Sequence, residues 1–386
     1  MAALAWELVT DAARLADVSA LLRGAPLLAV DTEFVRRTTF YARPGLLQLS
    51  AGHGEFLVDL VAIEDRTSLR ELFLAELPLK VMHSCSEDLE VLKGLFGAVP
   101  GSLVDTQVAA AMLGHPLQTS YQKLVKAVLD IDVPKDETQS DWTARPLSEA
   151  QLSYAALDVR HLLPLWQRLA DGLAARDRMG WLQEDCTRLL VEAARESDQA
   201  EYYRGIANAG RLSPPQLALL SALAAWRERM ARTLDKPRAH VVPDSILLMV
   251  AQRRPQSLAQ LRTLPDFHPA ALRRFGDDLL QIVATVPASA ALPALPPPLP
   301  REAKGVLSAL RDVVGPAAKA QGVEPEVLVR RRHLEALVDS ARRGEPELPE
   351  MLAGWRRPLV GEPLLAATRD RVQEIRSWPE EGDRGR

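Results

Sequence analysis

Asp31 and Glu33 stand two residues apart at the end of an apolar run, Leu27 to Val30, whose composition predicts a β-strand. On a strand both side chains point to one face, with their Cα atoms ~7 Å apart. Two carboxylates so placed repel each other, and a divalent cation removes the repulsion; hard oxygen donors suit magnesium or manganese. Taken alone, Asp-x-Glu is more often a pair of acids facing water. Ser86-Glu87-Asp88-Leu89 follows a short apolar strand, Lys80 to His83, where Ser84 or Ser86 can cap a helix and Glu87 and Asp88 suit its positive end. Capping by itself accounts for that motif. Tyr154 and Asp158 are four apart on a predicted helix and therefore share a face, a spacing that alone carries little.

The elements that must position these groups fall in two styles. Over the first 170 residues strand and helix periods alternate: a strand from Leu27, a hairpin of Leu46–Leu49 and Phe56–Val58 turning at Gly52-His53-Gly54, helices around 66–74 and 87–96, and one helix over 147–169 opened by Pro146 and Ser148. That alternation predicts an α/β layer. The rest of the chain has helical periods only: a connector over 171–209, an all-α unit over 210–286, and a second helical block over 301–378. Between the last two lies a linker, 287–300, with six prolines and no charge; a polar tail, 379–386, reads as disordered.

Composition narrows the function. The 386 residues carry a net charge of -4, with 47% hydrophobic and 25% charged residues, enough to bury real cores. Only two cysteines are present, which excludes a disulfide framework and a four-cysteine zinc site. The one uncharged stretch as long as the ~20 residues that span a bilayer, 279–300, is broken by six prolines, so a soluble, cytoplasmic monomer without a membrane partner is expected. The sequence has no Gly-Lys dipeptide, hence no phosphate-binding loop and no nucleotide cofactor. Residues 1–170 hold 15 Lys+Arg against 22 Asp+Glu, whereas 201–290 hold 12 against 7. An acidic front half that collects cations and a basic later segment that meets a polyanion is one reading of this contrast; solvated surface charge is the other.

Order and spacing tie the motifs together. Asp31-x-Glu33, then Asp88, then Tyr154-xxx-Asp158 resemble the three exonuclease motifs of the DEDD superfamily in its tyrosine subclass, and among its members the ribonuclease D family. Phe34, Arg36, Pro44, Gln48, His83-Ser84 and the run Asp141-Trp142-x-x-Arg145-Pro146-Leu147-Ser148 support the match, which covers residues 20 to 170. Trp226-Arg227-x-x-Met230, Lys236-Pro237, Val241-Val242-Pro243-Asp244 and Arg254-Pro255 resemble the helicase-and-RNase-D C-terminal (HRDC) domain, and the block after the linker resembles a second, divergent copy.

The resemblance implies a ribonuclease H-like exonuclease domain, a mixed sheet flanked by helices, followed by two small all-α HRDC-type domains. It implies a metal-dependent 3′–5′ exoribonuclease that hydrolytically releases 5′-monophosphates, with tRNA precursors bearing 3′ extensions as substrates. Asp31, Glu33, Asp88 and Asp158 would hold two Mg2+ or Mn2+ ions, Asp31 and Asp158 beside the attacking water and Asp88 at the second ion. The phenol of Tyr154, with a pKa near 10, suits orienting that water better than deprotonating it.

Further candidates are two-sided. Phe34 suits stacking on a terminal base, but a Phe after a core strand is core more often than not. Arg36, Gln48, His83, Lys135, Trp142 and Arg145 are candidates to line the substrate path, with Trp142 equally suited to packing. Arg227, Lys236, Arg238 and Arg253 are candidate phosphate contacts in the HRDC segment. A DNA exonuclease with the same carboxylates, and a nuclease fold retained only for binding, are the competing readings.

Overall fold

The computed structural model describes residues 6–134, 140–196, 199–295 and 299–378. Lys135 and the tail 379–386 lie outside them. The chain divides into two units: the first takes in residues up to Val35, Ala42–Arg195 and the described residues from Pro300 onward, the second Arg36–Tyr41 and Glu196–Leu299.

The first unit is built on a sheet of β1 (Trp6–Val9), β2 (Leu27–Val35), β3 (Arg43–Ser50), β4 (Glu55–Asp59), β5 (Leu79–Met82) and β6 (Leu103–Asp105), in the order β1-β4-β3-β2-β5-β6. β2 is antiparallel to β3 and parallel to β5, so the sheet is mixed. Leu28, Ala29 and Val30 of β2 are fully buried, as a central strand covered on both faces requires. The expected strand and hairpin are there. The edge strands β1 and β6 were not expected; at four and three residues they are too short to show a period.

Around the sheet lie α1 (Ala12–Arg23), α2 (Thr67–Leu74), α3 (Ser86–Phe96), α4 (Thr106–Met112), α5 (Tyr121–Leu129), α6 (Glu149–Arg160), α7 (Leu162–Ala174) and α8 (Met179–Ala194). The single helix expected over 147–169 is two, broken at His161, whose φ of -101° and ψ of 0° depart from the helix. Ser148 opens α6 with a capping box: its hydroxyl accepts from the Gln151 amide at 3.2 Å, and Gln151 Oε1 accepts from the Ser148 amide at 3.0 Å. The C-terminal block, with α14 (Ala303–Gln321), α15 (Pro325–Leu328) and α16 (Arg331–Arg343), packs on α8 within this unit. The Trp181 and Trp355 rings stack at 4.2 Å, and Arg356 clasps Asp185 at 2.6 and 2.7 Å.

The second unit holds α9 (Pro214–Thr233), α10 (Arg238–Val241), α11 (Asp244–Arg253), α12 (Leu258–Arg262) and α13 (Pro269–Thr285) around their own apolar core. Phe40, from the short segment between β2 and β3, belongs to that core. Asp235 accepts from the Phe40 and Tyr41 amides at 3.0 Å each, and the Arg232 and Arg238 guanidinia lie 4.9 and 5.0 Å from the Phe40 ring.

Candidate active site

β2 carries Asp31 and Glu33 on one face, and α6 brings Asp158 over that face; carboxylate oxygens of these three lie within 4.8 Å of one another. Asp88 stands outside this group in the first turn of α3, where its carboxylate accepts from the buried Thr32 hydroxyl. Its charge nevertheless raises the pKa of both Asp31 and Glu33, so it borders the same site. Three acids, rather than the expected four, are thus gathered within ligand distance.

The electrostatics follow from this crowding. Burial, and then the charges of Asp88, Asp158 and Glu33, hold Asp31 well above the usual carboxylate range. Glu33 is pushed up to about 9 by burial and by Asp158 and Asp88; burial also takes Asp158 to about 7 and Asp88 to about 6. Tyr154 donates to Asp158, and burial and then the neighbouring acids raise its pKa. Buried acids that oppose one another's ionisation are a cavity for positive charge. The donor set is all carboxylate oxygen, which fits a hard divalent cation.

Several residues unmarked by any motif keep these groups in place. Asp105, at the end of β6, accepts from the Ser84 and Cys85 amides at 3.0 and 2.9 Å and from Gln107 at 2.7 Å, fixing the turn that aims α3 and Asp88. Ser84 there has a φ of 58°. The Tyr121 hydroxyl donates to the Leu157 carbonyl at 3.1 Å and accepts from the His161 amide at 3.2 Å, bracing the break just after Asp158. Apart from the Asp105–Gln107 bond, a local cap of α4, no sequence signal singles out these contacts, since their partners lie 20 or more residues away.

The expected substrate contacts divide. Phe34 is half-buried on β2, past a bulge after Glu33, and Arg36 is exposed in the segment that packs with the second unit. Three others are occupied elsewhere and a fourth, Gln48, is enclosed. Arg145 grips Asp59 of β4 at two points, both 2.6 Å, and donates to the carbonyls of Gly45, Trp142 and Ala144, so its guanidinium is spent on holding the chain before α6. Trp142 is buried and its ring lies 6.1 Å from that of Tyr154, making it a packing residue. His83 has both ring nitrogens engaged, with the Thr106 hydroxyl at 2.9 Å and the Thr119 carbonyl at 3.1 Å. Gln48 is fully buried and unreachable by substrate.

In the second unit the corrections are similar. Arg227 is buried and bonds Asp244 at 2.5 Å and the Val242 carbonyl at 3.0 Å, closing α9 onto α11. Arg238 bonds the buried Glu228 at 2.5 and 2.9 Å. Glu228 is a buried carboxylate that needs such a partner, and Arg227 is itself buried against Asp244, so neither arginine is offered to phosphate. Lys236 and Arg253 are exposed, with Lys236 Nζ 3.5 Å from the Thr38 carbonyl.

Residues 6–174 match the family model described as a 3′–5′ exonuclease, residues 216–283 the HRDC domain, and residues 302–364 the C-terminal HRDC domain of ribonuclease D. Over 363 residues the chain is 43% identical to the ribonuclease D of Pseudomonas paraeruginosa, covering 93% of this chain and 96% of that one. The chain belongs to the ribonuclease D family. The Escherichia coli ribonuclease D is 33% identical over 373 residues, covering 93% and 97% of the two chains. The crystal structure of E. coli RNase D, described as an exoribonuclease involved in structured RNA processing, matches with a TM-score of 0.88 at 31% identity over 95% of this chain and 99% of that one.

As a ribonuclease D, the protein is a 3′–5′ exoribonuclease with RNA as its substrate class. The exonuclease family implies divalent-metal use, and the Asp31, Glu33 and Asp158 group supplies matching donors. Among the described residues no helix is long and apolar enough to cross a membrane.

Proposed function

We propose that this ribonuclease D removes nucleotides one at a time and by hydrolysis from the 3′ end of RNA precursors, with 3′-extended tRNA foremost, acting as a cytoplasmic monomer. The observation that carries the reading is the convergence of Asp31, Glu33 and Asp158, with Asp88 at its border and Tyr154 bonded to Asp158. In the reaction water adds to the terminal phosphorus, the bond to the 3′-oxygen breaks, that oxygen takes up a proton, and the phosphate leaves on the released 5′-monophosphate. Two divalent cations, Mg2+ or Mn2+, held by Asp31, Glu33, Asp158 and Asp88, would acidify the attacking water and offset charge on the leaving oxygen.

The side chains supply the rest. Tyr154 keeps its proton at any physiological pH, because burial and the acids raise its pKa, so its hydroxyl orients water without removing a proton. Phe34 stacks on the terminal base and Arg36 pairs with a phosphate near it. Lys236 and Arg253 are auxiliary phosphate contacts.

The test is to incubate 3′-extended tRNA and matched single-stranded DNA with the protein, with and without Mg2+, and resolve products by length. Stepwise shortening of the RNA is expected, dependent on metal and lost in Asp31→Asn. Tyr154→Phe should slow it about 100-fold, the scale of a misplaced reactant. Equal or faster shortening of DNA would overturn the RNA preference, and no shortening of either polymer would overturn the reading. A dimer mass in sedimentation would remove the monomer assignment.

A further inference from the structure

Gln48 lies in the middle of β3 with no exposed surface, and neither its amide nitrogen nor its amide oxygen has a hydrogen-bond partner. Buried amides are almost always paired, so such a group calls for a reason. Its surroundings limit what the reason is. Across the sheet its direct neighbours are Asp31 on β2 and Leu57 on β4. The apolar cluster of Leu46, Leu57, Trp142, Leu152, Ala155 and Ala156 covers the same face.

The other polar side chains nearby are already committed. Two residues along the strand, the Ser50 hydroxyl donates to the Gly54 carbonyl at 3.0 Å and accepts from the Gly52 amide at 3.2 Å. Diagonally on β4, Glu55 is held at two points by Arg160 and Asp59 at two points by Arg145. That leaves the acids of β2. Directly opposed side chains in an antiparallel pair have Cβ atoms about 5 Å apart, within reach of a glutamine amide, and the directly opposed acid is Asp31.

We infer that Gln48 is a positioning residue: with a cation at the site its Nε2, unpaired in this structure, would donate to the Asp31 carboxylate across the β2–β3 pair and hold that carboxylate in the orientation that ligates the cation. This rests on the metal reading of the site given above. A neutral amide suits the task because it orients a carboxylate without offsetting its charge, whereas a lysine or arginine there would compete with the cation. Partners of this kind, one step behind the ligands, set metal affinity by 10- to 100-fold.

The experiment compares wild type with Gln48→Met and Gln48→Leu, which fill the site with apolar volume and remove the unpaired amide. Melting is followed in EDTA, and Mn2+ affinity is measured by calorimetry. The expected result is a melting temperature in EDTA equal to or above wild type, with the Mn2+ dissociation constant raised at least about tenfold. At saturating Mn2+ the KM for RNA should be unchanged, because Gln48 does not touch substrate.

Mn2+ affinity within about twofold of wild type in either folded variant would overturn the inference. So would a lower melting temperature in EDTA with unchanged Mn2+ affinity, which is the mark of a merely structural residue, or failure of both variants to fold. Wild-type protein that bound no Mn2+ would overturn the metal reading itself and this inference with it. Binding by wild type and equally by both variants would sink the inference alone.

Discussion

Gly45 of β3 and Trp142 meet backbone to backbone: a Cβ placed on Gly45 would lie 2.2 Å from the Trp142 carbonyl oxygen. The Gly45 carbonyl also accepts from Arg145 at 2.8 Å, so the segment leading into α6 is seated on the sheet at Gly45 as well as at Asp59. Because the Trp142 ring lies against Tyr154, the contact ties the position of the tyrosine to the absence of a side chain four residues before the end of an apolar stretch of β3.

Gly45→Ala is therefore expected to push Trp142 away and to destabilise the fold by about 2 kcal/mol, the usual scale for inserting a methyl where none fits. The displaced Trp142 should carry Tyr154 with it. Chemical denaturation gives the first effect, and single-turnover RNA shortening at saturating RNA gives the second, with a loss of at least about tenfold. A destabilised variant with a wild-type single-turnover rate would show that Trp142 does not position Tyr154.

Arg227 and Arg253 separate two kinds of arginine that look alike in the sequence. Arg227 is buried against Asp244 and Val242, so Arg227→Ala should lower the melting temperature of the second unit through a lost hydrogen bond and lost packing. It should leave the salt dependence of RNA binding alone. Arg253 is exposed at the end of α11. Arg253→Ala should leave melting unchanged and reduce the slope of log affinity against log salt by about one. Titrations of RNA binding over a range of salt, paired with thermal melts, read both quantities. An unchanged slope in Arg253→Ala would remove this residue from the phosphate contacts.

Much of the site was legible because its chemistry depends on residue type and on period. Asp31 and Glu33 share a face through the two-residue period of β2, and Tyr154 and Asp158 through the four-residue spacing on α6, both local properties of the chain. What the sequence does not encode locally is commitment. A guanidinium reads the same whether it is solvated or, like Arg145 and Arg238, bound to a carboxylate brought to it by the fold. Trp142 and His83 were ambiguous for the same reason, and Asp105 and Tyr121 went unnoticed because each acts on backbone groups distant in sequence. Residues 36–41 carry a further surprise: six residues between two strands of the sheet pack with the helical unit through Phe40 and Asp235. No period over six residues reveals that.

The raised acids set the last expectation, which concerns pH. A carboxyl with a higher pKa folded than unfolded binds more protons in the folded state, so its contribution to stability is full below the unfolded value and is lost as the pH rises through the folded one. Glu33 goes from 4.5 to about 9, Asp158 from 3.8 to about 7 and Asp88 from 3.8 to about 6, so the loss spans roughly pH 4 to 9. In EDTA the melting temperature should fall steadily over that window, apart from any change due to groups elsewhere. Glu33→Gln cancels that group's part, so the variant should overtake wild type in EDTA between pH 7 and 9. Excess Mg2+ or Mn2+ binds the ionised acids of the folded state, and should raise wild-type melting far more at pH 8.5 than at pH 5. Thermal melts at half-unit pH intervals, with EDTA and with metal, provide the measurement. Parallel pH profiles for wild type and Glu33→Gln, or an equal metal effect at both pH values, would show that the cluster is not where protons and cations compete.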